Sequence, residues 1–158
     1  VQFIIVTYSL SLLKLMGTSF AAQLLSSDVE PEEKLWRGVL CNAIEDASQK
    51  SQERKPSIYK CEAHAWIMSN VTDFHTVCYY AGFEPDHVKE KYKGAIMKGD
   101  IQFSPKNFAW KKYSEQFKKY RNCREEESKK YHRKHLEHLR RAVDLATSVF
   151  ISNLVVSM

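Results

Sequence analysis

Turn residues are scarce in this chain: five glycines and four prolines punctuate 158 residues. A β-sandwich needs a turn signal between every pair of strands, so this sequence is confined to a few long elements. Apolar residues recur along it at steps of three and four, which is helical spacing. They make up 44% of the chain, enough to bury one core, and the length suits one domain with an appended arm. The expectation is an all-α protein of five or six helices. It divides into an apolar N-terminal arm over 1–28, a helical domain over 29–98 and a basic helical region over 99–158.

Charge is distributed unevenly. The net value is +5, but residues 99–141 hold thirteen basic and six acidic side chains. The two ends of the chain carry almost no charge. Such asymmetry points either to a polyanion partner or to a solvated helix with a basic face. Four cysteines, Cys41, Cys61, Cys78 and Cys123, fall singly with no CxxC pair. They read as reduced, small apolar groups rather than as a disulfide framework.

Lys14 interrupts the apolar start too early for a membrane span, and no basic leader precedes that run as a signal peptide requires. The expected location is therefore cytoplasmic, in a bacterium or an infected host cell, with Met16 a candidate natural start. Ala21-Ala22 imitates a cleavage site and Asn70-Val71-Thr72 a glycosylation acceptor, so secretion is the competing reading. At the other end Leu136, Leu139, Val143, Ala146, Phe150 and Leu154 step by three and four. They form a stripe suited either to a homo-oligomer seam, the preferred reading, or to docking on the domain's own core.

Pro31 with Glu32 and Glu33 marks a helix start, since proline fits the first turn and acids suit the positive end of the helix dipole. The polar stretch 48–56 is expected to be a loop, with Ser57 capping a second helix. Tyr59, Ala63, Trp66 and Ile67 are expected to form that helix's apolar face. Thr72 or Asp73 caps a short third helix, Gly82 ends it, and Pro85 opens the next. Ser104-Pro105 caps a further helix carrying Trp110, Tyr113, Phe117 and Tyr120 on one face, and Glu125-Glu126-Glu127 starts the last.

The segment 72–94 resembles helix-turn-helix DNA-binding modules of the small phage and proteobacterial type. It has Cys78 as the small residue four places before the turn glycine, Phe83 just after it and Val88 six places after it. At nine places after the glycine the family's apolar residue is replaced by Lys91, with Tyr92 beside it. A module of this kind joined to an oligomerising helix is also similar, more weakly, to phage terminase small subunits. The resemblance implies that the second helix lies in the major groove of DNA. Asp86, His87, Lys89, Glu90 and Lys93 would then face base edges, with Lys89 and Lys93 contacting guanine or phosphate. Asp86 and Glu90 work against phosphate affinity. Lys111, Lys112, Lys118 and Lys119 form a second basic surface that tracks the backbone, extended by Arg121, Arg124, Lys129, Lys130, Arg133, Lys134, Arg140 and Arg141.

Two histidine groupings have some of the character of metal sites. Cys61-x-x-His64 with His75-x-x-Cys78 has ligand-like spacing, but all four fall on expected helices. His132, His135 and His138 drift around one helix. No metal and no cofactor is implied. No phosphate-binding glycine loop, G-x-S-x-G or H-E-x-x-H occurs, so no enzyme class or small-molecule substrate is indicated. The function expected is non-enzymatic binding of double-stranded DNA, as a phage or bacterial regulator or packaging factor. The alternative is a viral or phage structural or assembly protein that uses the same helices for protein contacts.

Overall fold

A computed structural model describes residues 15–150, and among these every element longer than a single residue is a helix or a turn. The first fourteen residues of the expected arm, and Leu154 of the C-terminal stripe, lie outside the described residues. Seven helices follow one another: α1 (Thr18–Leu24), α2 (Pro31–Ser48), α3 (Arg54–Met68), α4 (Thr72–Tyr80), α5 (Pro85–Met97), α6 (Pro105–Asn122) and α7 (Glu126–Leu145). None is long and apolar enough to cross a membrane.

The described residues form two compact units. The first contains residues 15–49 and 63–101, and the second contains 50–62 and 102–150, so α3 contributes to both. The expected split at 98–99 is close to one boundary. Residues 50–62, expected with the N-terminal helices, belong instead with the basic C-terminal region.

Proline and cap chemistry set most helix starts. Pro31, Pro85 and Pro105 each occupy the first turn, where a missing N–H costs nothing. At α6 the Ser104 Oγ accepts from the Asn107 backbone N–H at 3.3 Å, and the Asn107 Oδ1 accepts from the Ser104 N–H at 3.0 Å, a reciprocal capping box. The α3 start differs from expectation. The helix begins at Arg54, so Pro56 lies inside the first turn, where it is tolerated. Ser57 is no cap; it is buried, and its Oγ accepts from Asn107 Nδ2 at 2.9 Å.

In the first unit α2 packs on α4, and α4 on α5. Gly82 has φ 80°, the left-handed region that glycine enters without strain. Two backbone bonds close the end of α4: Phe83 N–H to Cys78 O at 2.9 Å and Gly82 N–H to Tyr79 O at 3.0 Å. This pairing satisfies carbonyls the helix would leave open. Cys78, Phe83 and Val88 are all buried. Tyr92 is fully buried and Lys91 exposed, so the apolar position sought at 91 is filled one residue later.

Two expected faces are corrected. On α3 the expected Ala63 and Ile67 are buried, together with Ser57, Lys60, Cys61 and His64, while Tyr59 is exposed and Trp66 only half-buried. On α7 the helix stops at Leu145, where Ala146 turns extended, so Phe150 is not on it. Val143 is completely buried and Leu136 nearly so within the single chain. Leu139, Ala146 and Phe150 of the same stripe stay partly exposed, so burial within the single chain accounts for Leu136 and Val143 alone.

Candidate nucleic-acid interface

The basic surplus belongs wholly to the second unit. Its described residues hold seventeen basic and eight acidic side chains, net +9, whereas the first unit holds six basic and eleven acidic, net −5. Most of the cations lie on α6 and α7, an antiparallel hairpin joined across Cys123-Arg124-Glu125. Its direction follows from which residues meet. Arg140 lies over the Trp110 ring, Gln116 Nε2 and His132 Nδ1 are 2.7 Å apart, and Arg133 and Lys129 lie over Tyr120, so later positions on α6 meet earlier ones on α7.

The aromatic stripe of α6 is the seam of this hairpin. Trp110, Tyr113, Phe117 and Tyr120 touch in sequence at ring separations of 5.8, 6.4 and 6.3 Å. Cations cover them: Arg54 lies 5.0 Å from Tyr113 and 5.5 Å from Phe117, and Arg140 lies 4.9 Å from Trp110. Each such contact attracts a cation to the ring face and limits its motion. The Tyr120 hydroxyl accepts a 3.4 Å contact from Arg133, which together with the Glu126 and Glu137 carboxylates holds that guanidinium even more firmly charged than usual.

The α6 lysines divide into two classes. Lys111 is 3.3 Å from Glu62 and 3.7 Å from Glu115, so its charge is matched locally. Lys118 is exposed, with Glu62 at 3.8 Å. Lys112 and Lys119 are exposed and lie two turns apart on one side of the helix, and Lys130, Lys134 and Arg141 of α7 are exposed as well.

The first unit places the other five candidates on α5. Asp86 and Lys93 are exposed. His87 is exposed at its edge, with its ring 5.7 Å from Phe20. Lys89 is a correction. It is buried, and its Nζ donates to Ser69 O at 2.6 Å and to Asn70 Oδ1 at 2.8 Å, with the Phe74 ring at 5.4 Å. It closes the C-terminal end of α3 instead of facing a base. Glu84, Asp86 and Glu90 remain exposed at the front of α5, opposing phosphate there.

Arg37 of α2 is the site residue that sequence reasoning missed. Its Nε donates to Ala81 O at 3.0 Å, its Nη2 to Glu33 Oε1 at 2.6 Å, and its Nη1 to Gln23 O, while its guanidinium lies 5.2 Å from the Phe83 ring. One side chain thus fixes the α4–α5 turn and the end of α1. The only sequence signal was Glu33–Arg37 spacing at one helical turn, which occurs often on solvated helices.

Titratable chemistry is muted. Burial pushes the thiols of Cys41 and Cys61 up to about 11 and that of Cys78 up to about 12, so they stay protonated and unreactive at neutral pH. Among the described residues no group of three or more His, Cys, Asp or Glu side chains is placed to hold a metal ion. His64 Nδ1 lies 2.7 Å from the Tyr92 hydroxyl and His132 Nδ1 lies beside Gln116, so both rings serve hydrogen bonds. No protein-family model matches the chain, and no match was found among curated proteins or solved structures.

Proposed function

We propose that this is a non-enzymatic double-stranded DNA-binding protein that grips the phosphate backbone through the α6–α7 hairpin. The observation that carries the reading is the separation of charge: net +9 in the unit containing the hairpin against −5 in the other. A face of this sign concentrates a polyanion at its surface, and release of condensed counterions supplies the affinity. The α4–turn–α5 segment follows the helix-turn-helix plan, supported by the positive-φ Gly82 and the buried Cys78, Phe83 and Val88. With Lys89 turned inward and three exposed acids in front, α5 adds little base reading, so binding is largely independent of sequence.

The test is duplex binding across a salt series. Log affinity should fall linearly with log salt. Replacing Lys112 and Lys119 by Gln should flatten that line by somewhat under one unit for each phosphate no longer neutralised. Absence of duplex affinity even near about 50 mM salt, where such binding is strong, refutes the reading. An assembly protein then takes its place. That second reading is favoured by exposed Leu35, Tyr79 and Tyr80 beside the Trp36–Tyr80 ring pair at 5.4 Å.

A further inference from the structure

Two arginines of α7 are held against aromatic rings of α6. Arg133 lies 5.9 Å from the Tyr120 ring and contacts its hydroxyl, and Arg140 lies 4.9 Å from the Trp110 ring. A guanidinium held over an aromatic ring loses little freedom on binding; Arg133 gives one Nη2 contact to the Tyr120 hydroxyl and keeps further N–H groups for an acceptor. The two are seven residues apart on α7, about 10 Å along the helix. Between them opens a groove of about 380 Å³ lined by Tyr113, Arg133, Leu136, Glu137, Arg140 and Arg141. Its lining combines three cations and one carboxylate with the apolar Tyr113 and Leu136.

We propose that this groove seats one strand of the DNA backbone, with Arg133 and Arg140 each holding a phosphate and the sugar between lying over Tyr113 and Leu136. The proposal rests on the DNA-binding reading and adds the seat within it. The volume is near the lower end of small-ligand pockets, roughly 300–1,000 Å³, so it takes a backbone segment and not a double helix. Three positive groups against one negative favour a polyanion over a neutral or cationic peptide. Glu137 lies one helical turn from both Arg133 and Arg141 and is the repulsive element, holding affinity below what the arginines alone would give.

The experiment measures binding of a labelled random-sequence duplex by fluorescence anisotropy between about 50 and about 200 mM salt. The proteins compared are the wild type, the pair Arg133→Lys with Arg140→Lys, Glu137→Gln, and the pair Lys112→Gln with Lys119→Gln. The arginine-to-lysine pair keeps every charge but loses the stacked forks, so affinity should fall roughly tenfold with little change in salt slope. Glu137→Gln, at an exposed position, should tighten binding several-fold. The lysine pair should flatten the slope instead. If the arginine pair binds as the wild type does, or if Glu137→Gln leaves affinity unchanged or weaker, the groove is not the seat, while the salt slope of the wild type still carries the DNA reading. If the wild type does not bind at all, both fall. Circular dichroism of each variant separates loss of fold from loss of binding, and the Glu137→Gln result stands without the packing of either arginine being touched.

Discussion

Lys60 is the residue whose replacement tells most about the cost of this fold. It is fully buried on α3, with its Nζ 4.7 Å from the Phe103 ring. Burial pushes its ammonium down from 10.5 to about 8; the nearby Lys50 charge pushes the same way and Cys61 opposes it. The unfolded chain keeps the ordinary value. Between about 8 and 10.5 the unfolded state therefore binds more protons than the folded one, so stability rises with pH through that window. Below it the full cost is present, and the gap corresponds to about 3 kcal/mol as an upper bound. Lys60→Met keeps most of the volume and removes the charge. At pH 7 the variant should be more stable by up to about 3 kcal/mol, and its advantage should shrink steadily as pH rises toward 10.5. Urea unfolding of both proteins at a series of pH values reads the difference directly; the thiols of Cys41 and Cys78 are common to both, while that of Cys61 loses a neighbouring cation in the variant. A variant less stable at pH 7, by an amount that does not change with pH, would falsify the argument.

Gly82→Val should lower the melting temperature by about 4–8 °C, the equivalent of about 2 kcal/mol for a chain of this size. The φ of 80° strains a β-branched residue, and a Cβ there meets Glu33 Oε1 at 2.7 Å; thermal melting within about 1 °C of wild type would show that the turn relaxes. Lys89→Met should cost about 1–3 kcal/mol by stripping Ser69 O and Asn70 Oδ1 of their buried donor. It should leave both affinity and sequence preference for duplex DNA unchanged, and an altered preference would mean that Lys89 reaches a base after all.

Helix starts were legible because they are local. Pro31, Pro85 and Ser104-Pro105 need only their own backbone and neighbouring caps to be understood. The Gly82 turn was legible for the same reason, since positive φ after a helix is a property of one residue. The buried face of α3 was legible at Ala63 and Ile67 and not elsewhere. Its other core positions are Ser57, Lys60, Cys61 and His64, and a hydropathy period looks instead for Tyr59 and Trp66. What makes those polar groups tolerable lies far away in sequence: Asn107 for Ser57, Tyr92 for His64, Phe103 for Lys60. The fate of Lys89 was hidden by the same kind of distance, because the acceptors at Ser69 and Asn70 are 20 and 19 residues upstream.

Charge, too, had to be counted by unit before it carried meaning. A net of +5 spread over 158 residues is mild, and by sequence position residues 29–56 nearly balance, with five basic and six acidic side chains. Residues 50–62 fold with the C-terminal helices, taking four cations and only two acids with them. That single reassignment moves Arg54 onto the hairpin aromatics and Glu62 against Lys111, and it leaves the α4–α5 segment in a unit of net negative charge. A groove-reading helix in such a unit approaches a duplex against its own field, screened only beyond the Debye length of about 8 Å at physiological salt. The hairpin approaches with the field. Changes in the first unit should therefore act on stability, and changes on α6 and α7 on the salt dependence of binding. The acidic front of α5 makes the sharpest separation between them. On the proposed hairpin grip, neutralising Asp86 and Glu90 together should leave nonspecific affinity for a duplex unchanged; a rise in that affinity would place α5 against the DNA and remove the hairpin as the sole grip.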